Sequence, residues 1–249
     1  MPTTIELDHR RPITYESALK KDTNLISEAA YFEAATELYQ SLWDQRQIIQ
    51  ALVKHHLRLS NRDTCIVSPK DQWIRGSFNV CIPIKVRSSS CHKKLIFRCP
   101  MPHKLAEHQY PGTVDEKLGS EVGAYVWLEH QCRDIRIPHL YGFGFTDHRH
   151  FVHEKQRPFY VRLWRMFQRR LRSLLRCHTL SPYGAHPTSQ RLSAAYMILE
   201  YIGPDTGHML SSTWEKHRKD PSHRQNLFRG MARLMLSLAN IPQPPDMVL

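Results

Sequence analysis

Two short runs with apolar residues at every second position lie close together in the first half of the chain. The first extends from Val80 to Val86, and the second, residues 94–99, reads Lys-Leu-Ile-Phe-Arg-Cys. Period-two alternation is typical of strands with one buried face, and the serines at 88–90 between the runs favour a turn. The two runs are therefore predicted to pair as an antiparallel hairpin. Pro83 inside the first run predicts an edge strand or a bulge, because proline has no N–H to donate to a ladder.

Apolar residues at three- and four-residue spacing predict helices on both sides of this hairpin. One long helix is expected over 27–59, a second over 113–129 with Glu121 near its middle, and a third over 223–239. An apolar run of strand length at 195–202 precedes a Gly-Pro pair. Strands and helices in this order predict an α+β fold.

The composition is that of a globular protein, with 41% hydrophobic and 23% charged residues. No segment approaches the roughly 20 apolar residues of a membrane span, and the N-terminus lacks the apolar core of a signal peptide. A cytoplasmic protein with reduced cysteines is therefore expected. His148, His150 and His153 lie in a polar segment predicted as a loop, without thiolate or carboxylate partners, so no metal site is predicted.

The formal net charge is +12, which favours acidic partners such as nucleic acid, an anionic membrane or phosphorylated small molecules. Basic residues are densest at 155–178, where apolar residues at helical spacing separate them and predict a basic amphipathic helix. The sequence favours an insert whose apolar face covers the sheet and whose arginines are solvated. Binding to a membrane surface, to a calmodulin-type partner or to RNA stays open as an alternative.

Six segments of the chain together carry a resemblance to a known family. They are Gly76-Ser-Phe-Asn-Val80, Leu95-Ile-Phe-Arg-Cys-Pro100, Glu116-Lys-Leu-Gly-Ser-Glu121, Ile137-Pro-His-Leu-Tyr-Gly-Phe-Gly144, Met197-Ile-Leu-Glu-Tyr-Ile202 and Leu227-Phe-Arg-Gly-Met-Ala-Arg-Leu-Met-Leu-Ser-Leu238. In their order and spacing, over about residues 28–243, they resemble the fungal branch of the aminoglycoside-phosphotransferase family, a relative of choline kinases. The resemblance implies a protein-kinase-like small lobe, built of an antiparallel sheet plus a helix, then a hinge and the first helices of a large lobe.

The resemblance also divides the chain and suggests an activity. Residues 1–26 would form a polar N-terminal arm, 27–202 an N-terminal helix and the nucleotide-binding small lobe, and 203–249 the hinge and an incomplete large lobe. The implied activity is ATP-dependent phosphoryl transfer to a hydroxyl of a small molecule, with ATP and Mg²⁺ as cofactors. The acceptor is not specified by the sequence.

The implied phosphate site combines a short glycine turn with an ion pair. The turn residues are Gly76, Ser77, Phe78 and Asn79. Backbone amides of such a turn can approach phosphates, although an ordinary hairpin turn explains the same residues. The family pattern places a strand cation at Arg98 and its helix carboxylate at Glu121, which we predict to lie within salt-bridge distance. Arg98 departs from the usual lysine, so an altered phosphate contact and a purely structural ion pair remain equal alternatives.

The implied adenine contact lies at the hinge. Glu200, Tyr201 and Ile202 would present backbone groups to the edge of the base. The alternative is a core strand that ends in a Gly-Pro turn.

The residues that would perform the chemistry in this family have no good match. The nearest, His217-Arg-Lys-Asp220-Pro-Ser-His-Arg-Gln-Asn226, has one residue too many between Asp220 and Asn226, and it precedes the last predicted helix. A charged connector, with Ser222 as N-cap of that helix, explains it better. No catalytic residue is therefore assigned and the chain is expected to be inactive, with helix 223–239 exposing an apolar face. The rival interpretations are a non-catalytic nucleotide- or partner-binding module and a basic protein that binds nucleic acid or a membrane surface.

Overall fold

The computed structural model describes residues 4–7, 10–20, 25–88, 92–132, 134–175 and 180–241. In chain order the strands are β1 (Thr4–Leu7), β2 (Arg10–Thr14), β3 (Thr64–Val67), β4 (Ile74–Arg75), β5 (Asn79–Arg87), β6 (His92–Pro100), β7 (Leu140–Gly144), β8 (His150–His153), β9 (Tyr183–Ala185) and β10 (Tyr196–Glu200). The α-helices are α1 (Tyr15–Ala18), α2 (Leu25–Asp44), α3 (Arg46–Leu57), α4 (Thr113–Gln131), α5 (Phe159–Leu174), α6 (Leu210–His217) and α7 (Pro221–Ala239). No helix among these residues combines the length and the apolar character that a bilayer crossing requires.

One large antiparallel sheet organises the chain, in agreement with the predicted α+β class. Its strands follow the order β3-β5-β6-β10-β7-β8-β9, and β4 pairs with β5 beside β3. The predicted hairpin is β5–β6, in continuous register from Asn79 opposite Pro100 to Arg87 opposite His92. A separate two-stranded sheet, β1–β2, lies within the segment predicted as a polar arm, and β1 contacts α2.

Pro83 is neither on an edge strand nor in a bulge, so that prediction is wrong. On the side of β5 away from β6, β4 pairs with residues 80–81 and β3 pairs with residues 84–87. Pro83 lies in the gap between these two partners, and its carbonyl accepts a hydrogen bond from the Ser68 N–H at 3.0 Å. Because the nitrogen of a strand residue faces the same neighbour as its carbonyl, the missing N–H costs the β5–β6 ladder nothing.

The two faces of the large sheet carry different helices. On one face α2 and α3 bury a core that includes Leu95, Phe97 and Cys99 of β6, and on the other α4 packs over a second core that includes Leu199 of β10. The predicted single N-terminal helix is these two helices, which meet at Gln45. Since side chains alternate along a strand, Arg98 projects to the α4 face.

The predicted basic helix is present as α5, but its orientation is the reverse of the one the sequence favours. Trp164 and Phe167 are exposed, whereas the side chain of Arg165 is only 18% exposed. The prediction that the apolar face covers the sheet is wrong. The reason is that Glu154 and backbone carbonyls near residue 183 provide partners for arginines on the inner side of the helix.

The last two helices pack little against the rest of the described chain. None of the residues of α6 or α7 is buried, and the large apolar side chains of α7 are exposed as predicted, except Leu227, which is partly buried. They include Phe228, Met231, Leu234, Met235, Leu236 and Leu238. The hydroxyl of Ser237 donates a hydrogen bond to the Asp134 carboxylate, which joins α7 to the segment after α4.

Candidate functional site

The glycine turn predicted to approach phosphates connects β4 to β5. The Gly76 N–H donates to the Asn79 carbonyl at 2.8 Å, and the Phe78 carbonyl accepts from the Met101 N–H at 2.8 Å. Gly76 does not adopt the left-handed backbone conformation, so the turn itself does not require glycine. The amides of Ser77 and Phe78 donate no backbone hydrogen bond to another described residue. These two N–H groups are therefore the donors that the turn can offer to an anion.

The ion pair predicted from the resemblance is present. Arg98 Nη2 lies 3.3 Å from Glu121 Oε1, and the two side chains are 25% and 24% exposed. The contact joins β6 to α4 at the point where the helix crosses the α4 face of the sheet. The geometric part of the prediction is thus confirmed, while the nucleotide-binding role of these residues stays a prediction.

A second cation, Lys117, reaches the same carboxylate and was missed by sequence reasoning. Its Nζ donates to Glu121 Oε1 and also lies 3.4 Å from Asn79 Oδ1. The spacing of Lys117 and Glu121, four residues apart on one helix, is the signal that could have revealed it. Lys117 thereby links the helix to the end of the glycine turn.

Two positive groups share one carboxylate in this cluster. Glu121 balances one of the charges of Arg98 and Lys117, so the cluster retains a net charge of about +1, which favours an anionic ligand. Across the sheet from Arg98 lie Cys81 on β5 and Met197 on β10. Burial raises the pKa of the Cys81 thiol, while the charge of Arg98 opposes that rise. The thiol beside the ion pair is therefore protonated and neutral at neutral pH.

The predicted hinge lies at the end of β10, and its first residue already has partners. The Glu200 N–H donates to the His139 carbonyl at 2.8 Å. Its carboxylate accepts from the His139 N–H at 3.1 Å and from Arg136 Nη2 at 3.0 Å. Tyr201 and Ile202 follow outside the strand, with Lys94 Nζ placed 5.6 Å from the Tyr201 ring centroid. A ligand edge could therefore meet the backbone of Tyr201 and Ile202, but not the Glu200 N–H.

The segment that resembles a catalytic loop is a helix cap. Asp220 is the N-cap of α7, and its carboxylate accepts from the Ser222 N–H at 2.8 Å and bonds His223 Nδ1 at 2.7 Å. Hydrogen bonds, first from the Ser222 side chain and then from His223, hold the pKa of Asp220 well below its usual range. The N-cap is thus Asp220 and not Ser222 as predicted, because the helix begins at Pro221, two residues earlier than predicted.

The three histidines noted in the sequence do not converge. His150 and His153 are buried on β8, not in a loop as predicted, while His148 is exposed. Within the described ranges no group of three or more histidine, cysteine or acidic side chains is arranged to hold a metal ion. Cys91 and Cys177 lie outside the described residues, and Cys65, Cys81, Cys99 and Cys132 are free thiols.

A cluster around Glu129, which sequence reasoning also missed, lies at the C-terminal end of α4. Glu129 Oε1 lies 3.3 Å from His153 Nε2, 3.4 Å from Lys155 Nζ and 3.9 Å from His139 Nδ1. Glu129 lines two shallow cavities of about 260 and 340 Å³. Burial lowers the pKa of His153 to about 4, in spite of the nearby carboxylate. Neither cavity is lined by Arg98, Glu121 or the glycine turn, so both cavities are separate from the cluster of Arg98, Lys117 and Glu121.

Comparison with known proteins adds no relative. No protein-family model, no curated protein and no solved structure matches this chain. Any assignment of function therefore depends on the residues of the chain and on the geometry described above.

Proposed function

We propose that this chain contains the nucleotide-binding small lobe of an aminoglycoside-phosphotransferase-like small-molecule kinase. The observation that carries the proposal is the pairing of a strand cation, Arg98, with a helix carboxylate, Glu121, at 3.3 Å. Kinases use a cation on the third strand of the lobe, held by a carboxylate of the following helix, to position the α- and β-phosphates of ATP. Arginine in place of lysine still supplies a charged group with several N–H donors.

The arrangement of elements around this pair supports the proposal. The helix that carries Glu121 connects β6 to β7, and β10 lies between those two strands in the sheet. The C-terminal end of β10 leads directly into the linker before α6. Arg98 is opposite Met197 on β10 and Tyr201 follows four residues later, so the two proposed contact points are separated by roughly 13 Å along the strand. That length suits a phosphate at one end and a base at the other.

The described residues suggest how the phosphates would be held. The surplus positive charge of Arg98 and Lys117 would attract them, and the amides of Ser77 and Phe78 would donate hydrogen bonds. The adenine edge would meet the backbone of Tyr201 and Ile202. Glu121 already pairs with two cations, Arg98 and Lys117, so its carboxylate is not suited to act as a Mg²⁺ ligand. The ion would have to arrive bound to the nucleotide.

Nucleotide binding is the property to measure first. Isothermal titration of the purified 249-residue chain with ATP, with and without Mg²⁺, should show saturable binding. Arg98→Ala should weaken it about tenfold or more, because a charge-assisted hydrogen bond contributes about 1.5–3 kcal/mol. Lys117→Ala should weaken it in the same direction.

The matched control is Arg169→Ala, which removes an arginine of similar exposure (32% against 25% for Arg98) that pairs with Glu154 and not with Glu121. It should leave the affinity for ATP unchanged. Absence of ATP binding by the unmodified chain, or equal losses in Arg98→Ala and Arg169→Ala with both variants folded, contradicts the proposal. Far-ultraviolet circular dichroism of each variant separates loss of binding from loss of fold.

Catalysis is a separate question, and a non-catalytic nucleotide-binding module is the second candidate. The observation that favours it is that Asp220, the best match to a catalytic aspartate, caps α7. A coupled assay for ADP release should then detect no ATP turnover by a chain that binds ATP. Metal-dependent turnover that disappears in Arg98→Ala would favour the kinase over the non-catalytic module.

A further inference from the structure

Helix α5 is fixed to the protein through its arginines. Arg169 forms a double hydrogen bond with the Glu154 carboxylate, in which Nη1 lies 2.7 Å from Oε1. Arg165 Nη2 donates to the Ser181 carbonyl at 2.6 Å and to the Tyr183 carbonyl at 3.3 Å. These bonds occupy the inner side of the helix and set its rotation about its own axis. The opposite side must therefore face away from the protein.

That outer side is a continuous apolar surface. Its members are the exposed Phe159, Tyr160, Leu163, Trp164, Met166, Phe167, Leu171 and Leu174. On a helix of 3.6 residues per turn these positions cover about half of the circumference along a length of about 24 Å. An exposed apolar surface of this size on an otherwise charged segment marks an interaction site.

The charges beside this surface are all positive. Arg162, Arg170 and Arg172 are exposed and form no ion pair with another described residue, and residues 159–174 contain no acidic residue. Arg165 and Arg169 share the single carboxylate of Glu154, which balances one of their two charges. At 100° per residue Arg162 lies beside the apolar arc and Arg170 within it, so the outward-facing part of α5 combines these two cations with the apolar side chains. It lies within a chain of net charge +12.

We propose that α5 is an interfacial helix that docks the protein on an anionic lipid surface. A strongly amphipathic helix of low overall hydrophobicity, with aromatic and leucine residues on one side and arginines beside them, inserts its apolar side among lipid headgroups. Arg162 flanks the apolar arc and would meet lipid phosphates, while the long side chain of Arg170, within the arc, extends its charge toward the headgroups. Nucleic acid fits less well, since its phosphates would meet mainly aromatic and aliphatic side chains.

Vesicle binding by the full chain tests this proposal. The protein is mixed with phosphatidylcholine vesicles, or with phosphatidylcholine vesicles that contain phosphatidylserine, and the bound fraction is measured by sedimentation. We expect binding to the phosphatidylserine vesicles, weak binding to phosphatidylcholine alone, and release as salt is raised. Brominated lipid should quench the fluorescence of Trp164, and the Trp164→Phe variant should lose that quenching.

Two matched variants separate α5 from the other exposed apolar helix. Leu163 on α5 is 57% exposed and Leu236 on α7 is 62% exposed, so a charge at either position should leave the fold intact. Leu163→Glu should weaken binding to phosphatidylserine vesicles about tenfold or more, because it removes a leucine that would be buried in the lipid and adds a negative charge. Leu236→Glu should bind vesicles like the unmodified chain.

Three results overturn the proposal. The first is equal binding by Leu163→Glu and the unmodified chain. The second is equal binding to neutral and anionic vesicles. The third is a dimer in size-exclusion chromatography that dissociates in Leu163→Glu while vesicle binding is absent, which would assign the surface to a second copy of the chain.

Discussion

Tyr196 is the residue whose change gives the sharpest test of the buried core. Its side chain is fully buried, and its hydroxyl lies 2.7 Å from His56 Nε2 and 3.0 Å from His150 Nδ1. Tyr196→Phe removes this shared partner and keeps the ring, which stacks on Phe97 at 4.6 Å. Two buried ring nitrogens then lack a partner, at about 1–3 kcal/mol each. A loss of about 2–6 kcal/mol is expected, a large part of the 5–15 kcal/mol typical of a folded domain.

Urea unfolding at neutral pH, followed by far-ultraviolet circular dichroism, measures this loss. Tyr183→Phe is the matched control, because the hydroxyl of Tyr183 is also buried but donates a single hydrogen bond, to the Leu140 carbonyl at 3.0 Å. Its expected cost is about 1 kcal/mol. The reasoning is refuted if Tyr196→Phe is no more destabilising than Tyr183→Phe at an unchanged dependence on urea.

Three further outcomes follow from described groups. Burial lowers the pKa of His153 and of His186 to about 4, below the usual value near 6.5. Between these pH values the unfolded chain binds more protons than the folded chain, so the folded state loses stability as the pH falls. The urea midpoint should therefore decrease as the pH drops from about 6.5 to 4, and an unchanged midpoint would contradict this. Gly142→Ala should lower the urea midpoint, because the new Cβ would lie 2.6 Å from a histidine nitrogen and 2.7 Å from a backbone carbonyl, whereas Gly119→Ala, with no atom within 4 Å, should not. Amide hydrogen exchange should show weak protection along α7 in a monomer, and strong protection there would show that its apolar side chains have found a partner.

The parts of the fold that were predicted correctly are those fixed by local pattern. The β5–β6 hairpin and α4 follow from apolar spacing within about twenty residues, and such spacing reports which side of an element is apolar. The contact of Arg98 with Glu121 was predicted by resemblance, and it needed only these elements to pack in the expected order. The nucleotide-binding role of the same residues stays a prediction.

The failures share a different cause. The spacing in α5 shows one basic and one apolar side, but which side faces the protein depends on Glu154, a residue outside the helix. Pro83 is tolerated because two separate strands leave a gap opposite it, a property of the whole sheet. The contact of Lys117 with Asn79 was missed since the two residues are distant in sequence, although the spacing of Lys117 and Glu121 on one helix is a local signal. Each depends on tertiary neighbours that single-sequence patterns do not contain.

Two arginines, Arg157 and Arg165, that hold the basic insert containing α5 also protect one edge of the large sheet. β9 ends the strand order, and a terminal strand offers unpaired carbonyls and amides to strands of other molecules. Residues 183 and 185 turn their carbonyls away from β8; Arg157 Nη2 donates to that of Ala185, and Arg165 donates to that of Tyr183. Guanidinium groups thereby occupy acceptors that a second chain would need for intermolecular strand addition. Loss of these two arginines should expose a template for ordered aggregation, independently of what the insert binds.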